Sequence, residues 1–228
     1  LSTLVDGLAG AVPVGLRGLL NATANFILSR MAHGATYEDA LAEAQTAGLA
    51  ERDPAADVDG DDAVAKVMIL SGLVFGRQLS REQIACRGIT GITSTEVARA
   101  ASAGGRLKHV ATLGFSGPDG AGNATARVQP GFVRHDDPLA AIEGTANGVV
   151  CQASPIGEIR IIGPGAGPQP PGAARGRGRD PAAGDCGVRT RHGGPAAAGR
   201  NQGRADRAEL RPRLCVPAAA VLPAGLRA

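Results

Sequence analysis

The sequence has few aromatic residues, few cysteines and no long apolar run. Only four Phe and one Tyr occur among 228 residues, too few for an RNA platform that stacks bases on exposed rings. Four dispersed cysteines, at positions 86, 151, 186 and 215, form no disulfide framework and favour a reducing cytoplasm. No run of about 18 apolar residues occurs, and the first residues include neither an initiator Met nor a basic signal-peptide head. We therefore expect a soluble, truncated, cytoplasmic chain.

The chain has a formal charge of +3 and consists of two parts with different compositions, which meet at Pro170. Residues 1–170 carry 13 basic and 17 acidic side chains, whereas residues 171–228 carry 11 Arg and 4 acids. Ala, Gly, Pro and Arg together make up most of this tail. Such a tail has too few large apolar side chains to offset the entropy of ordering its backbone. We predict a folded domain over 1–170 and a largely unstructured basic tail over 171–228.

Three interpretations of the tail are open. The run Arg175-Gly176-Arg177-Gly178-Arg179 is typical of segments that follow nucleic-acid phosphates. Without aromatic residues it offers only nonspecific attraction, so nucleic acid is not the expected partner. The tail could also be a disordered basic extension, or a GC-rich gene read out of frame, because Ala, Gly, Pro and Arg have GC-rich codons. The DNA sequence around codons 165 to 175 would decide between the last two.

The segment over 1–170 alternates between patterns of helical and of strand period, which predicts a mixed α+β domain with helices packed on one face of a sheet. Thr36 and Asp39 form a capping pattern that starts one helix, and Gly48 ends it. The predicted helix over 62–75 is apolar on nearly all sides after Val67, which indicates that its C-terminal half is buried. Other helices are expected over 23–32 and 95–103, and strands over 12–20, 107–115, 126–133, 149–153 and 158–162.

The segment between Glu51 and Lys66 carries the candidate chemistry. It holds six acidic residues and one of the two lysines of the chain. The segment that starts at Asp57 does not match a calcium-binding loop, because its sixth and twelfth positions are Asp62 and Met68 instead of Gly and Glu. A solvated acidic loop that precedes a helix N-terminus explains the charge run without any function.

Asp62 and Lys66 lie four residues apart, so on a helix their side chains share one face and can meet. At the edge of an apolar interior, desolvation lowers a lysine pKa and a nearby carboxylate raises it, which permits proton exchange near neutral pH. Glu51 and Asp57 could then bind a cationic group. The set suits a small amino-bearing alcohol or carbonyl compound, and a surface ion pair is the alternative.

Other patterns predict no further site. The run Gly163-Pro164-Gly165-Ala166-Gly167 follows a strand, but Pro168 occupies the last glycine position of a dinucleotide fingerprint. His135 with Asp136 and Asp137 cannot close a coordination shell, so no metal site is expected.

Three groups of residues resemble the homoserine dehydrogenase family. The first is Gly18-Leu19-Leu20-Asn21-Ala22-Thr23-Ala24-Asn25-Phe26-Ile27-Leu28. The second includes Gly48-Leu49-Ala50-Glu51, Asp53-Pro54, Asp57-Val58-Asp59-Gly60, Asp62-Ala63 and Lys66. The third comprises Arg87-Gly88-Ile89, Asp137-Pro138-Leu139-Ala140 and Gly163-Pro164-Gly165-Ala166-Gly167, in family order. The resemblance covers residues 1 to about 170.

The resemblance implies NAD- or NADP-dependent interconversion of homoserine and aspartate 4-semialdehyde in threonine and methionine biosynthesis, by an enzyme that is a homodimer when intact. By similarity, Lys66 moves the proton at the substrate oxygen and Asp62 is its acidic partner. Glu51 and Asp57 help to hold the substrate, Glu51 at its amino group. Asn21, Ala22, Thr23 and Gly165 are expected near the cofactor.

The sequence also departs from the family. A glycine-fingerprint nucleotide domain has no counterpart here, and the helix start expected after Pro170 is replaced by Pro171-Gly172-Ala173-Ala174. We therefore expect this polypeptide alone neither to bind NADP tightly nor to turn over. The competing interpretation is a noncatalytic binding module with an acidic loop and a basic tail.

Overall fold

The computed structural model describes residues 2–116 and 122–165, which are built around a six-stranded sheet. Its strands are β1 (Val12–Leu19), β2 (Ala85–Cys86), β3 (Gly105–Phe115), β4 (Ala124–Arg134), β5 (Ala146–Ser154) and β6 (Gly157–Pro164). Their order across the sheet is β2-β4-β3-β1-β5-β6. All neighbouring pairs are antiparallel except β2 and β4. The mixed α+β class predicted from the sequence is confirmed.

Within the described residues the chain forms six α-helices and one 3-10 turn at Arg81–Gln83. The helices are α1 (Ser2–Gly7), α2 (Ala22–Ala32), α3 (Tyr37–Thr46), α4 (Ala55–Val58), α5 (Asp61–Phe75) and α6 (Ser94–Ser102). The predicted cap of α3 is confirmed, since Thr36 Oγ1 accepts from the Asp39 amide at 3.1 Å. Thr93 and Glu96 form a capping box at the start of α6.

The helices pack on one face of the sheet, as the sequence predicts. Ala111 and Leu113 of β3 share a core with Val64 and Val67 of α5. Leu107, on the same face of β3, joins a second core formed by α2, α3 and α6. Val110 points to the opposite face, where a segment containing Leu139 and Ile142 covers it. The sequence did not indicate this second cover, because the segment has no helical or strand period.

Most predicted elements are found with ends shifted by one to three residues. The prediction that the C-terminal half of α5 is buried was wrong for one face of the helix. Leu70 is buried, but Ile69 and Leu73 are 51% and 53% exposed. An all-round apolar pattern cannot tell which faces have neighbours, and α5 packs against the sheet along only one of its faces.

The structure leaves two predictions untested. The domain boundary at residue 170 and the basic tail over 171–228 both lie outside the described residues, as does the end of the glycine-rich run after Gly165. In the part of the chain that is described, no helix is long and apolar enough to span a lipid bilayer.

Candidate active site

Helix α5 begins in a crowded place that only a glycine fits. Gly60 precedes it with φ of +93°, and a Cβ at this position would lie 2.9 Å from Cys86 Sγ and 3.0 Å from His109 Cε1. His109 Nε2 contacts the Arg87 carbonyl at 3.0 Å, and burial lowers the pKa of His109. These contacts fix where α5 starts and therefore where its first two turns point.

The predicted pairing of Asp62 with Lys66 is present in the structure. Lys66 Nζ lies 2.7 Å from Asp62 Oδ2, one turn earlier on α5, and both side chains are partly exposed, at 40% and 35%. The ammonium also donates to the Leu20 carbonyl at 2.8 Å, at the junction of β1 and α2. Two of its three protons therefore have acceptors among the described residues, and the third is free for a ligand.

Asn21 joins the acidic residues to the start of α2. Its Oδ1 accepts from the Ala24 amide at 2.7 Å and caps the helix. Its Nδ2 donates to Asp57 Oδ1 at 2.6 Å and to Asp62 Oδ2 at 2.9 Å. One buried amide therefore holds both carboxylates in place.

Asp57 is placed by a short helix and by a close backbone approach. It lies on α4, which follows Pro54, and its amide donates to the Pro54 carbonyl at 2.9 Å. The next residue, Val58, accepts from the Ile89 amide at 2.7 Å. Within the described residues, Asp57 Oδ2 accepts no hydrogen bond. With two carboxylates against one ammonium, the cluster carries a net negative charge that suits a cationic ligand group.

Glu51 is not joined to this cluster. Its side chain is exposed and its carboxylate makes no hydrogen bond or ion pair within residues 2–116 and 122–165. Only its carbonyl is used, by Gln45 Nε2 at 3.1 Å. Two residues earlier, the Leu49 carbonyl accepts from Thr23 Oγ1 at 2.8 Å, so this segment runs beside the start of α2. A substrate-binding role for Glu51 stays a prediction.

The residues expected near the cofactor lie in two places. Ala22 and Thr23 form the buried first turn of α2, directly after Asn21. Gly165 is exposed at the end of β6, where its amide donates to the Thr145 carbonyl at 2.9 Å. Contact of these residues with a cofactor stays a prediction.

Sequence reasoning missed three polar residues around the site. Asn147 Nδ2 donates to the Leu20 carbonyl at 3.2 Å. Asn25 Nδ2 reaches three carbonyls, those of Ile142, Gly144 and Ala146 at 3.3, 3.0 and 3.0 Å. Lys108 is 1% exposed and donates to Asn25 Oδ1 and to the Ile142 carbonyl. The one available signal was Lys108, a charged residue inside an apolar strand pattern.

Comparison with known proteins identifies the family. A family model described as homoserine dehydrogenase matches residues 1–175. A homoserine dehydrogenase of Synechocystis is 38% identical over 175 residues, which is 76% of this chain and 40% of that protein. An NAD(+)-dependent homoserine dehydrogenase of Pseudomonas canavaninivorans is 34% identical over 162 residues, covering 71% of this chain and 45% of that protein.

A solved structure agrees with the sequence matches. The crystal structure of a homoserine dehydrogenase from Thiobacillus denitrificans aligns with a TM-score of 0.68 at 33% identity, over 73% of this chain and 38% of that one. The family model and the solved structure both match the α+β domain that carries the lysine–carboxylate cluster. The chain belongs to the homoserine dehydrogenase family. It spans about two fifths of the length of the first curated relative, 40%.

Proposed function

We propose that this domain binds L-homoserine and L-aspartate 4-semialdehyde and that, together with a nucleotide-binding domain, it catalyses their NAD- or NADP-dependent interconversion in threonine and methionine biosynthesis. The observation that carries the proposal is the Lys66 ammonium, which is held by Asp62 Oδ2 and the Leu20 carbonyl and has one proton without an acceptor among the described residues. A group that must give a proton to a substrate oxygen needs this combination of fixed position and one unused donor.

Lys66 acts at the oxygen on C4 of the substrate. In the reducing direction its ammonium donates a proton to the aldehyde oxygen as the hydride reaches C4, which leaves a neutral amine and a hydroxyl group. In the oxidising direction the neutral amine takes the hydroxyl proton as the hydride leaves C4. Asp62 Oδ2 accepts a hydrogen bond from the Lys66 ammonium at 2.7 Å and so orients it.

The carboxylates supply substrate recognition. Homoserine and aspartate semialdehyde both carry an ammonium group, and Asp57 Oδ2 and the exposed Glu51 carboxylate are free acceptors in the described part of the chain. A charge-assisted hydrogen bond to such a group contributes about 1.5–3 kcal/mol. We therefore assign Glu51 and Asp57 to the substrate ammonium.

We propose that the described residues around Leu20 and Gly165 face the reacting end of a nicotinamide cofactor, which would supply the hydride acceptor or donor when bound. Gly165 offers exposed backbone beside Asn147, where a Cβ would come within 2.5 Å of Asn147 Oδ1. Asn21, Ala22 and Thr23 start α2 next to the Leu20 carbonyl that Lys66 contacts. We assign these four residues to the cofactor side of the site.

We also propose that the enzyme is a cytoplasmic homodimer. In the described part of the sheet, strand β6 pairs on one side only, with β5, and Ile162 on it is 55% exposed. An unpaired apolar edge of this kind favours association with a second chain. Light scattering of the purified protein measures its mass and tests whether it forms a dimer.

Calorimetric titration of the 228-residue protein with L-homoserine tests the substrate assignment. We expect binding to the native chain and at least tenfold weaker binding to Lys66→Met, because the ammonium contacts the substrate oxygen. The control is Arg81→Met, which removes an exposed cation paired with Asp61 at the start of the same helix. Failure of the native chain to bind homoserine, or equal binding by Lys66→Met, contradicts the proposal.

A further inference from the structure

Asn147, the second residue of β5, shares an acceptor with Lys66. Its Nδ2 lies 3.2 Å from the Leu20 carbonyl oxygen, and Lys66 Nζ lies 2.8 Å from the same atom. A carbonyl oxygen has two lone pairs, so both donors are accommodated at once. The position of the ammonium therefore depends on a carbonyl that Asn147 helps to hold.

The Asn147 amide is packed against the backbone of Gly165. A Cβ at position 165 would lie 2.5 Å from Asn147 Oδ1 and 2.6 Å from Nδ2, so Gly165 backbone lies directly against the amide. The segment before Asn147 is fixed to α2, because Asn25 Nδ2 donates to the Gly144 and Ala146 carbonyls, both at 3.0 Å. Helix α2 also begins next to Leu20. Both the donor and its acceptor are thus anchored to the same helix.

The other end of the amide has no partner in the part of the chain that the structure describes. Asn147 Oδ1 is buried and accepts no hydrogen bond from the described residues. A buried polar atom without a partner costs about 1–3 kcal/mol, and an apolar residue of the same shape avoids that cost. Stability alone therefore does not explain an asparagine at position 147. Its hydrogen bond to the Leu20 carbonyl is the contact that a function can depend on.

We propose that Asn147 is a positioning residue of the active site, which holds the Leu20 carbonyl so that the Lys66 ammonium stays in place for proton transfer. The reaction it serves is the proposed function above. Asn147 acts through Leu20 and needs no contact with the substrate.

The test uses the fact that the chain has only two lysines, Lys66 and Lys108. Protein labelled with carbon-13 at lysine Cε gives two signals, which are assigned with Lys66→Arg. The variant Asn147→Leu removes the amide and keeps its approximate volume. Gln152→Leu is the matched control, because it makes a similar change on the same strand, at an exposed residue bonded to Glu158.

We expect Asn147→Leu to move the Lys66 signal by more than its line width and to leave the Lys108 signal in place. Its unfolding free energy should equal or exceed that of the native chain. Gln152→Leu should leave both signals unmoved. Asn147→Ala, which crowds Gly165 less, should move the Lys66 signal in the same way and decides the matter if the leucine variant does not fold.

An unmoved Lys66 signal overturns the proposal. If the leucine variant folds, a moved signal together with a lower unfolding free energy than that of the native chain also overturns it, since a structural role then suffices. Both measurements are made without ligand. If homoserine does not bind to the native chain, the proposed function fails, while the Lys66 signal still decides the positioning role.

Discussion

Asn21 and Lys66 donate to the same carboxylate oxygen, Asp62 Oδ2, at 2.9 and 2.7 Å. The first donor comes from the cap of α2 and the second from the second turn of α5. Asp62 therefore connects the starts of two helices that are distant in the chain, with α3 and α4 between them. Asn21 extends the connection to Asp57 on α4. These four residues of the candidate site form one hydrogen-bonded unit, and each member can be tested by its effect on the others.

The variant Asn21→Ser separates the two functions of Asn21. Serine keeps an oxygen that can cap α2 but loses the amide that joins Asp57 and Asp62. The two carboxylates then lose a shared donor, and we expect homoserine affinity to fall about tenfold, or about 1.4 kcal/mol. Calorimetric titration measures the affinity and urea denaturation the unfolding free energy.

Asn21→Ala is the companion variant, because it also removes the cap. It should be about 1 kcal/mol less stable than Asn21→Ser. Equal homoserine affinity of the native chain and Asn21→Ser would show that the amide bridge does not matter for binding.

Gly88, which is distant from Asp57 in the chain, is predicted to control the position of Asp57. A Cβ at this residue would overlap the Val58 carbonyl oxygen and lie 2.5 Å from Asp59 Cα, so backbone must move. We expect Gly88→Ala to lower the unfolding free energy by about 2 kcal/mol, the usual size of an overpacking effect. It should also lose most of its homoserine binding, because the segment after α4 shifts.

Gly163→Ala serves as the control, since no atom of the described residues lies within 4 Å of a Cβ at that position. Its unfolding free energy and homoserine affinity should match those of the native chain. If Gly88→Ala behaves like Gly163→Ala, the close approach at Val58 is not what places Asp57.

Lys108 should make stability depend on pH. Burial lowers the pKa of Lys108 from 10.5 to about 8, while Glu143 opposes the shift and Arg106 adds to it. Between about pH 8 and 10.5 the unfolded chain keeps the proton that the native chain has lost, so the unfolding free energy should rise with pH across this window. The full shift corresponds to about 3 kcal/mol.

Urea denaturation of the native chain and of Lys108→Met, at several pH values from 7.5 to 10, measures this rise. Other groups titrate in both proteins, so the difference between the two slopes is the result to compare. Equal slopes would mean that Lys108 keeps its proton throughout the window. Carbon-13 titration of the Lys108 signal checks the same midpoint without a substitution.

Glu51→Gln should weaken homoserine binding without changing stability. The Glu51 carboxylate makes no hydrogen bond or ion pair in the described part of the chain, so neutralising it removes no native contact. Loss of a charged acceptor for the substrate ammonium should lower affinity about tenfold. Calorimetry measures it, and Glu38→Gln, an exposed acid on α3, is the control. Unchanged affinity would remove Glu51 from the site.

The sequence predicted the pairing of Asp62 with Lys66 because four residues on a helix have a fixed geometry. It also predicted most elements and the Thr36 cap, since periodicity and capping act over a few residues. It placed Asn21 near the site only through family resemblance and gave no hint that its amide joins the two acids. These two hydrogen bonds join Asn21 to residues 36 and 41 positions away, and no local pattern encodes such contacts.

The residues that the sequence missed all depend on long-range packing. Asn25, Lys108 and the carbonyls between Ile142 and Ala146 meet across separations of 34 to 121 positions. The exposure of Ile69 and Leu73 was also missed. An apolar pattern shows that a helix face can be buried, but it does not show whether another part of the protein covers that face. Local rules thus predicted the elements, while tertiary packing determined the site.

The crowding at Gly60 has a practical consequence for protein engineering. Anyone building combinatorial libraries on this scaffold to change ligand preference should keep this position invariant, because any side chain there would collide with Cys86 and His109 and displace the start of α5. Diversity belongs instead at solvent-facing sites such as Ile69, where a new side chain has room.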